Sequence, residues 1–85
     1  YSLPISMRER HIQLVVAFKS TNAAMEMESK AKDRNVYGRM IPLPAKISAG
    51  CGLAWKTELD MRNDVINFMQ EENIQWEAIY ELNLF

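Results

Sequence analysis

Eight residues near the start of the chain, HIQLVVAF from His11 to Phe18, set the strongest constraint on the fold. Alternation places Ile12, Leu14, Val16 and Phe18 on one face of an extended segment, while Val15 and Ala17 make the opposite face apolar as well. A segment that is apolar on both faces reads as a strand inside a sheet, so other strands must flank it. A chain of 85 residues can build only one core, because two would each bury too little apolar surface. The remaining sequence must therefore supply that strand's neighbours and the layer that covers them.

The hydrophobic period changes repeatedly after Phe18. Ser20 or Thr21 can cap a helix in which Ala24, Met27 and Ala31 recur at helical spacing. Glu26, Glu28, Lys30 and Lys32 form its solvated side, with two acid–base pairs four residues apart. This first helix is expected from Thr21 to about Arg34, with Asn35 as a left-handed stop. VYGRMIPLP then reads as an edge strand, since Gly38 and Pro42 would weaken a central one. LAWKTEL alternates cleanly as a half-buried strand, and Asp60 opens a second helix carrying Met61, Val65, Phe68 and Met69 on one face and ending near Asn73. AIYELNLF closes the chain as a fourth strand. Met25, Met27, Met40, Met61 and Met69 are expected to fill the core, as are Trp55 and Trp76.

Strand, helix, strand, strand, helix, strand is the order of a ferredoxin-like α+β sandwich, a four-stranded antiparallel sheet with two helices on one face. Right-handed crossovers make the first two strands parallel, put the third between them, and leave the fourth beyond the first. Residues 1–10, which contain Pro4, are expected to be an N-terminal tail, and 11–85 the single domain.

Composition removes several function classes. Ten basic and eleven acidic residues give a net charge of −1, which offers no electrostatic footprint for nucleic acid or anionic lipid. The run LVVAF is too short to span a bilayer. One cysteine forms no internal disulfide, and with one histidine it supplies no zinc site, so no metal or other cofactor is expected and a reducing, cytoplasmic setting fits best.

The chemistry-bearing stretch is KISAGCGLAW, where the lone cysteine stands as Gly50-Cys51-Gly52. The topology delivers the loop PLPAKISAGCG to the same end of the sheet as Lys19-Ser20-Thr21, the junction between first strand and first helix. Cys51 is thus expected beside a helix N-terminus, whose unpaired N–H groups and partial positive charge favour a thiolate and small anions. Gly50 and Gly52 are expected to adopt positive φ, turn consecutive amides toward the sulfur and leave it open to a bulky partner. His11 begins the first strand at the opposite end, roughly 20 Å away, so a Cys–His dyad within the chain is not expected.

These residues also carry a resemblance. Phe18, Ser20, Thr21 and Ala24, then Ile41-Pro42-Leu43-Pro44, then Ile47-Ser48-Ala49-Gly50-Cys51-Gly52-Leu53 resemble the selenium/sulfur carrier-like family over about Ile12 to Tyr80. The resemblance implies that Cys51 accepts sulfur or selenium as a persulfide or perselenide and passes it on. The implied partners are a cysteine desulfurase or selenocysteine lyase as donor and an acceptor protein. Ser20, Thr21, Lys46, Ser48, Gly50 and Gly52 are the residues around Cys51 that would bind. One departure concerns the position after the second proline, where the family carries arginine and this chain has Ala45 followed by Lys46, a point charge without the planar fork.

A second function class stands beside the carrier, a non-catalytic interaction or regulatory domain in which Cys51 is structural. Accessibility of the thiol separates the two, since a relay cysteine must be reached and a structural one resists alkylation until the chain unfolds. A self-sufficient enzyme is expected less than either. The regular, proline-free AIYELNLF also provides an edge for a homodimer.

Overall fold

The computed structural model describes residues 11–84. The expected tail, residues 1–10, lies outside them. The elements run β1 (His11–Phe18), α1 (Thr21–Asp33), β2 (Arg39–Pro42), β3 (Leu53–Glu58), a 3₁₀ turn (Leu59–Met61), α2 (Arg62–Glu71) and β4 (Trp76–Leu84). One sheet holds the four strands in the order β2-β3-β1-β4, every pair antiparallel. This is the expected ferredoxin-like α+β architecture, with β1 in the interior and the short, proline-containing β2 at an edge.

Register explains the core. Val16 faces Trp55 across one ladder and Ile79 across the other, and Met40 continues the row from the far side of Trp55. That face meets Ala23, Ala24, Met27 and Ala31 of α1 and Val65, Phe68 and Met69 of α2 in one buried cluster. Burying each large apolar side chain in it contributes about 1.5–3 kcal/mol. Val15, Ala17 and Ala54, on the opposite face, are also fully buried, as the two-sided apolar pattern of β1 requires. Met27 and Met69 occupy the core as expected, but Met25 is 60% exposed, because it lies off the Ala24–Met27–Ala31 stripe of α1.

Both helices end in the same way. Asn35 and Asn73 take left-handed φ of 56° and 57°. In each case the next residue bonds back over five positions, Val36 N–H to the Ala31 carbonyl at 2.8 Å and Ile74 N–H to the Met69 carbonyl at 2.9 Å. These are Schellman closures, and asparagine tolerates the backbone they need. The second helix starts later than its expected Asp60, because Leu59–Met61 winds as a 3₁₀ turn first. The last strand begins at Trp76, two residues before the expected Ala78. No described helix is long and apolar enough to cross a membrane.

Candidate functional site

Three segments converge at the end of the sheet where β1 stops. The first is the junction Lys19-Ser20 leading into α1. Ser20 holds extended backbone and its Oγ accepts the Ala23 N–H at 3.2 Å, so its hydroxyl oxygen is occupied in capping the helix. Such a cap stabilises a helix by about 1 kcal/mol. Thr21 follows as the first helical residue, and it is exposed.

The second segment is the loop between β2 and β3. Its base is closed by the Leu43 N–H donating to the Gly52 carbonyl at 2.9 Å, one step beyond the last paired residues Pro42 and Leu53. A turn from Pro44 to Ile47, bonded at 3.1 Å, reverses its course. The chain then leads into Gly50, Cys51 and Gly52.

The third segment is a bulge in β4. Ala17 pairs with Ala78 but the next residue, Phe18, pairs with Trp76, so Glu77 is an extra residue on that strand. A bulge re-aims the side chain it releases. The Glu77 carboxylate accepts the Gly50 N–H at 3.4 Å and ties the loop to the sheet edge.

Cys51 lies where the three meet. Its thiol donates to Thr21 Oγ1 across 3.8 Å, and its Sγ accepts the Leu53 N–H at 3.4 Å. The sulfur therefore sits beside the start of α1, as the topology anticipated, and away from His11, whose Nε2 lies 3.1 Å and 3.2 Å from the Glu58 carboxylate oxygens at the other end of β1. Because a threonine hydroxyl can donate as well as accept, the same two partners offer two donors to a sulfur anion.

Two expectations about this loop need correction. Cys51 is only 2% exposed and belongs to the buried cluster, so the sulfur is not open to a bulky partner in this conformation. Neither Gly50 nor Gly52 has left-handed φ, which among the described glycines is confined to Gly38 at 137°. Gly50 is there for close approach instead. A Cβ on it would lie 2.7 Å from the Lys19 carbonyl oxygen, whereas a Cβ on Gly52 would meet nothing within 4 Å. The loop is pressed onto the β1–α1 junction at Gly50 and open at Gly52.

Of the residues expected to bind around Cys51, the structure brings Thr21, Gly50 and Gly52 to it. Ser20 is adjacent but engaged as the cap. Lys46 and Ser48 are exposed on the loop, and no hydrogen bond or ion pair among the described residues joins either to Cys51. Sequence reasoning missed Glu77 and the Leu53 amide. The amide contributes only backbone, and Glu77 acts through a one-residue slip in pairing that alternation does not reveal. No metal-binding group of three or more His, Cys, Asp or Glu side chains occurs among the described residues.

Neither a curated protein nor a solved structure matches this chain. A family model does, from Gln13 in β1 to Glu81 in β4, and it spans every residue that builds the Cys51 site. By that match over residues 13–81, the chain belongs to the family described as "Putative Se/S carrier protein-like".

Proposed function

We propose that the protein is a small carrier that takes sulfur or selenium onto Cys51 and delivers it to an acceptor. The observation that supports this most directly is the polar seat of the sulfur. A cysteine packed only as a small hydrophobe needs no partners, yet this one has both the Thr21 hydroxyl and the Leu53 amide within reach at the end of a helix.

In the loading step the Cys51 thiolate attacks the outer sulfur of a donor's persulfide. The new bond joins Sγ to that sulfur, the donor's S–S bond breaks, and its electron pair leaves on the donor thiolate, with no net oxidation. A selenium donor presents an S–SeH group and reacts in the same way. Unloading repeats the exchange with an acceptor nucleophile and returns Cys51 as the leaving thiolate. As the chain's sole cysteine, Cys51 has no intramolecular thiol with which its persulfide could collapse to a disulfide.

One observation favours the second reading, in which the domain binds a partner and Cys51 is structural. That observation is the burial of the thiol within the core cluster. Incubation with a cysteine desulfurase and cysteine, or with a selenocysteine lyase and selenocysteine, separates the two. The carrier gains one sulfur or selenium atom by intact mass, and the gain is absent in Cys51→Ser. A wild-type chain that stays unmodified with both donors, and whose folded thiol resists alkylation, is the interaction domain.

A further inference from the structure

The sheet ends in two edges of opposite character. β2 is four residues long and carries Pro42, which blunts an edge against further pairing. β4, at the other end of the order β2-β3-β1-β4, runs nine residues from Trp76 to Leu84 and contains no proline, glycine or lysine. Its bulge at Glu77 lies near its start, so the stretch from Ala78 to Leu84 pairs with β1 in unbroken register. The one charge inside that stretch, Glu81, is met by Arg62 of α2 at 3.6 Å and guards the edge weakly.

The direction of the edge amides follows from the ladders. The Leu43 N–H donates to the Gly52 carbonyl, and antiparallel pairs alternate between exchanging bonds and not, so Ile41–Ala54 and Arg39–Lys56 exchange them too. Carried across β3 and β1, the alternation makes Ala17–Ala78, Val15–Tyr80 and Gln13–Leu82 the bonded pairs of the β1–β4 ladder. The N–H and C=O groups of Ile79 and Glu81 therefore point away from the sheet, where no described strand receives them.

We infer that β4 pairs antiparallel with β4 of a second copy about a two-fold axis through Tyr80, joining two domains through one continuous sheet. Tyr80 is the midpoint of the strand, so this register engages all of it, whereas an axis at Ala78 or Leu82 leaves nearly half the strand unpaired. It sets Ile79 opposite Glu81 of the second copy, each exchanging backbone bonds with the other. On the face away from the helices it sets Tyr80 opposite Tyr80 and Ala78 opposite Leu82, apolar pairs that stabilise a sheet. Charge selects the same register. Moving the axis to Ile79 places Glu77 against Glu81, and moving it to Glu81 places that acid against itself, whereas about Tyr80 no acid faces an acid. The closed pairing leaves the two proline-blunted β2 strands as the outer edges.

Association is read by size, so the inference stands or falls independently of the carrier reading. Sedimentation velocity of the full chain over a concentration series should show a monomer–dimer equilibrium. Glu81→Pro removes one outward N–H from each copy at an edge position that tolerates proline, and should raise the dimer dissociation constant about ten- to a hundredfold. Glu81→Gln keeps that N–H and should stay within about threefold of the unsubstituted chain. The register is read separately, in a Cys51→Ser background that leaves the introduced thiol alone. There Tyr80→Cys should form an intermolecular disulfide under mild oxidation, because directly opposed antiparallel residues have the Cα separation a disulfide needs, whereas Leu82→Cys should not. This cross-link carries the test even if Glu81→Pro perturbs folding. A monomer at every concentration, wild-type association by a folded Glu81→Pro, or cross-linking at Leu82→Cys but not at Tyr80→Cys overturns the inference.

Discussion

Replacing each glycine beside Cys51 by alanine gives opposite results, and the difference follows from two distances. At Gly50 the new methyl would sit 2.7 Å from the Lys19 carbonyl oxygen, where ordinary contact begins at 3.4 Å. The obstacle is backbone at the end of a central strand, so the loop must move by several tenths of an ångström. That movement stretches the 3.4 Å bond from the Gly50 amide to Glu77. Local overpacking of this kind costs about 1–3 kcal/mol. The cost falls on the closed position of the loop and therefore lowers the free energy of opening it.

A buried thiol reacts through such openings, in proportion to how often they occur. At about 1.4 kcal/mol per factor of ten, alkylation of Cys51 in Gly50→Ala should run roughly 5- to 150-fold faster than in the unsubstituted chain. In Gly52→Ala the methyl meets no atom within 4 Å and the backbone is outside the left-handed region, so the rate should stay within about twofold. Iodoacetamide kinetics by mass spectrometry, with thermal melting of each variant alongside, provide the measurement. Equal alkylation rates in Gly50→Ala and the unsubstituted chain would refute the claim that the Gly50–Lys19 contact holds the loop shut.

Two further outcomes concern the other end of β2. Gly38→Ala should destabilise the whole domain by about 2–4 kcal/mol, since it adds a methyl against the Trp55 indole and the Lys56 carbonyl at a φ of 137° that alanine resists; urea unfolding measures it, and a loss under about 0.5 kcal/mol contradicts the packing. Lys56 has a lowered pKa when folded, from burial and then Arg39, so as pH rises toward 10.5 the unfolded chain holds more protons and stability increases through this residue. The melting temperature of the unsubstituted chain should therefore gain on that of Lys56→Gln as pH rises toward 10.5, and a constant difference would show that Lys56 is unperturbed.

The sequence was most legible where one period governed one element. HIQLVVAF required an interior strand, the Ala24–Met27–Ala31 stripe required a helix over it, and crossover handedness then carried Cys51 to the start of that helix. The conformation of the loop was not legible, because it depends on contacts between segments far apart in the chain. Two glycines around a cysteine suggest freedom and access. Only packing against Lys19 shows that Gly50 is present for closeness, and only the bulge at Glu77 shows that the strand edge holds it. The same limit hid the Arg39–Lys56 pairing, which needs the β2–β3 register before the charges can be placed together.

Burial of Cys51 changes what a carrier built on it must require. With Cys51 only 2% exposed, even a small donor waits for the loop to open, so loading by dissolved polysulfide should reach a ceiling as polysulfide is raised, set by the opening rate. A protein donor can exceed that ceiling only by engaging the closed chain first and speeding the opening, with tighter binding to the open loop than to the closed one supplying the driving force. Lys46 and Ser48 are exposed on that loop, where a donor engaging it would meet them. Loading by a desulfurase should therefore outpace loading by polysulfide at equal sulfane sulfur, and Lys46→Glu should slow the first without altering the second. Gly50→Ala should remove most of the difference between donors, because its loop opens without help. If polysulfide loads the unsubstituted folded chain as fast as it loads the urea-unfolded chain, the loop is no barrier and the need for an opening partner fails.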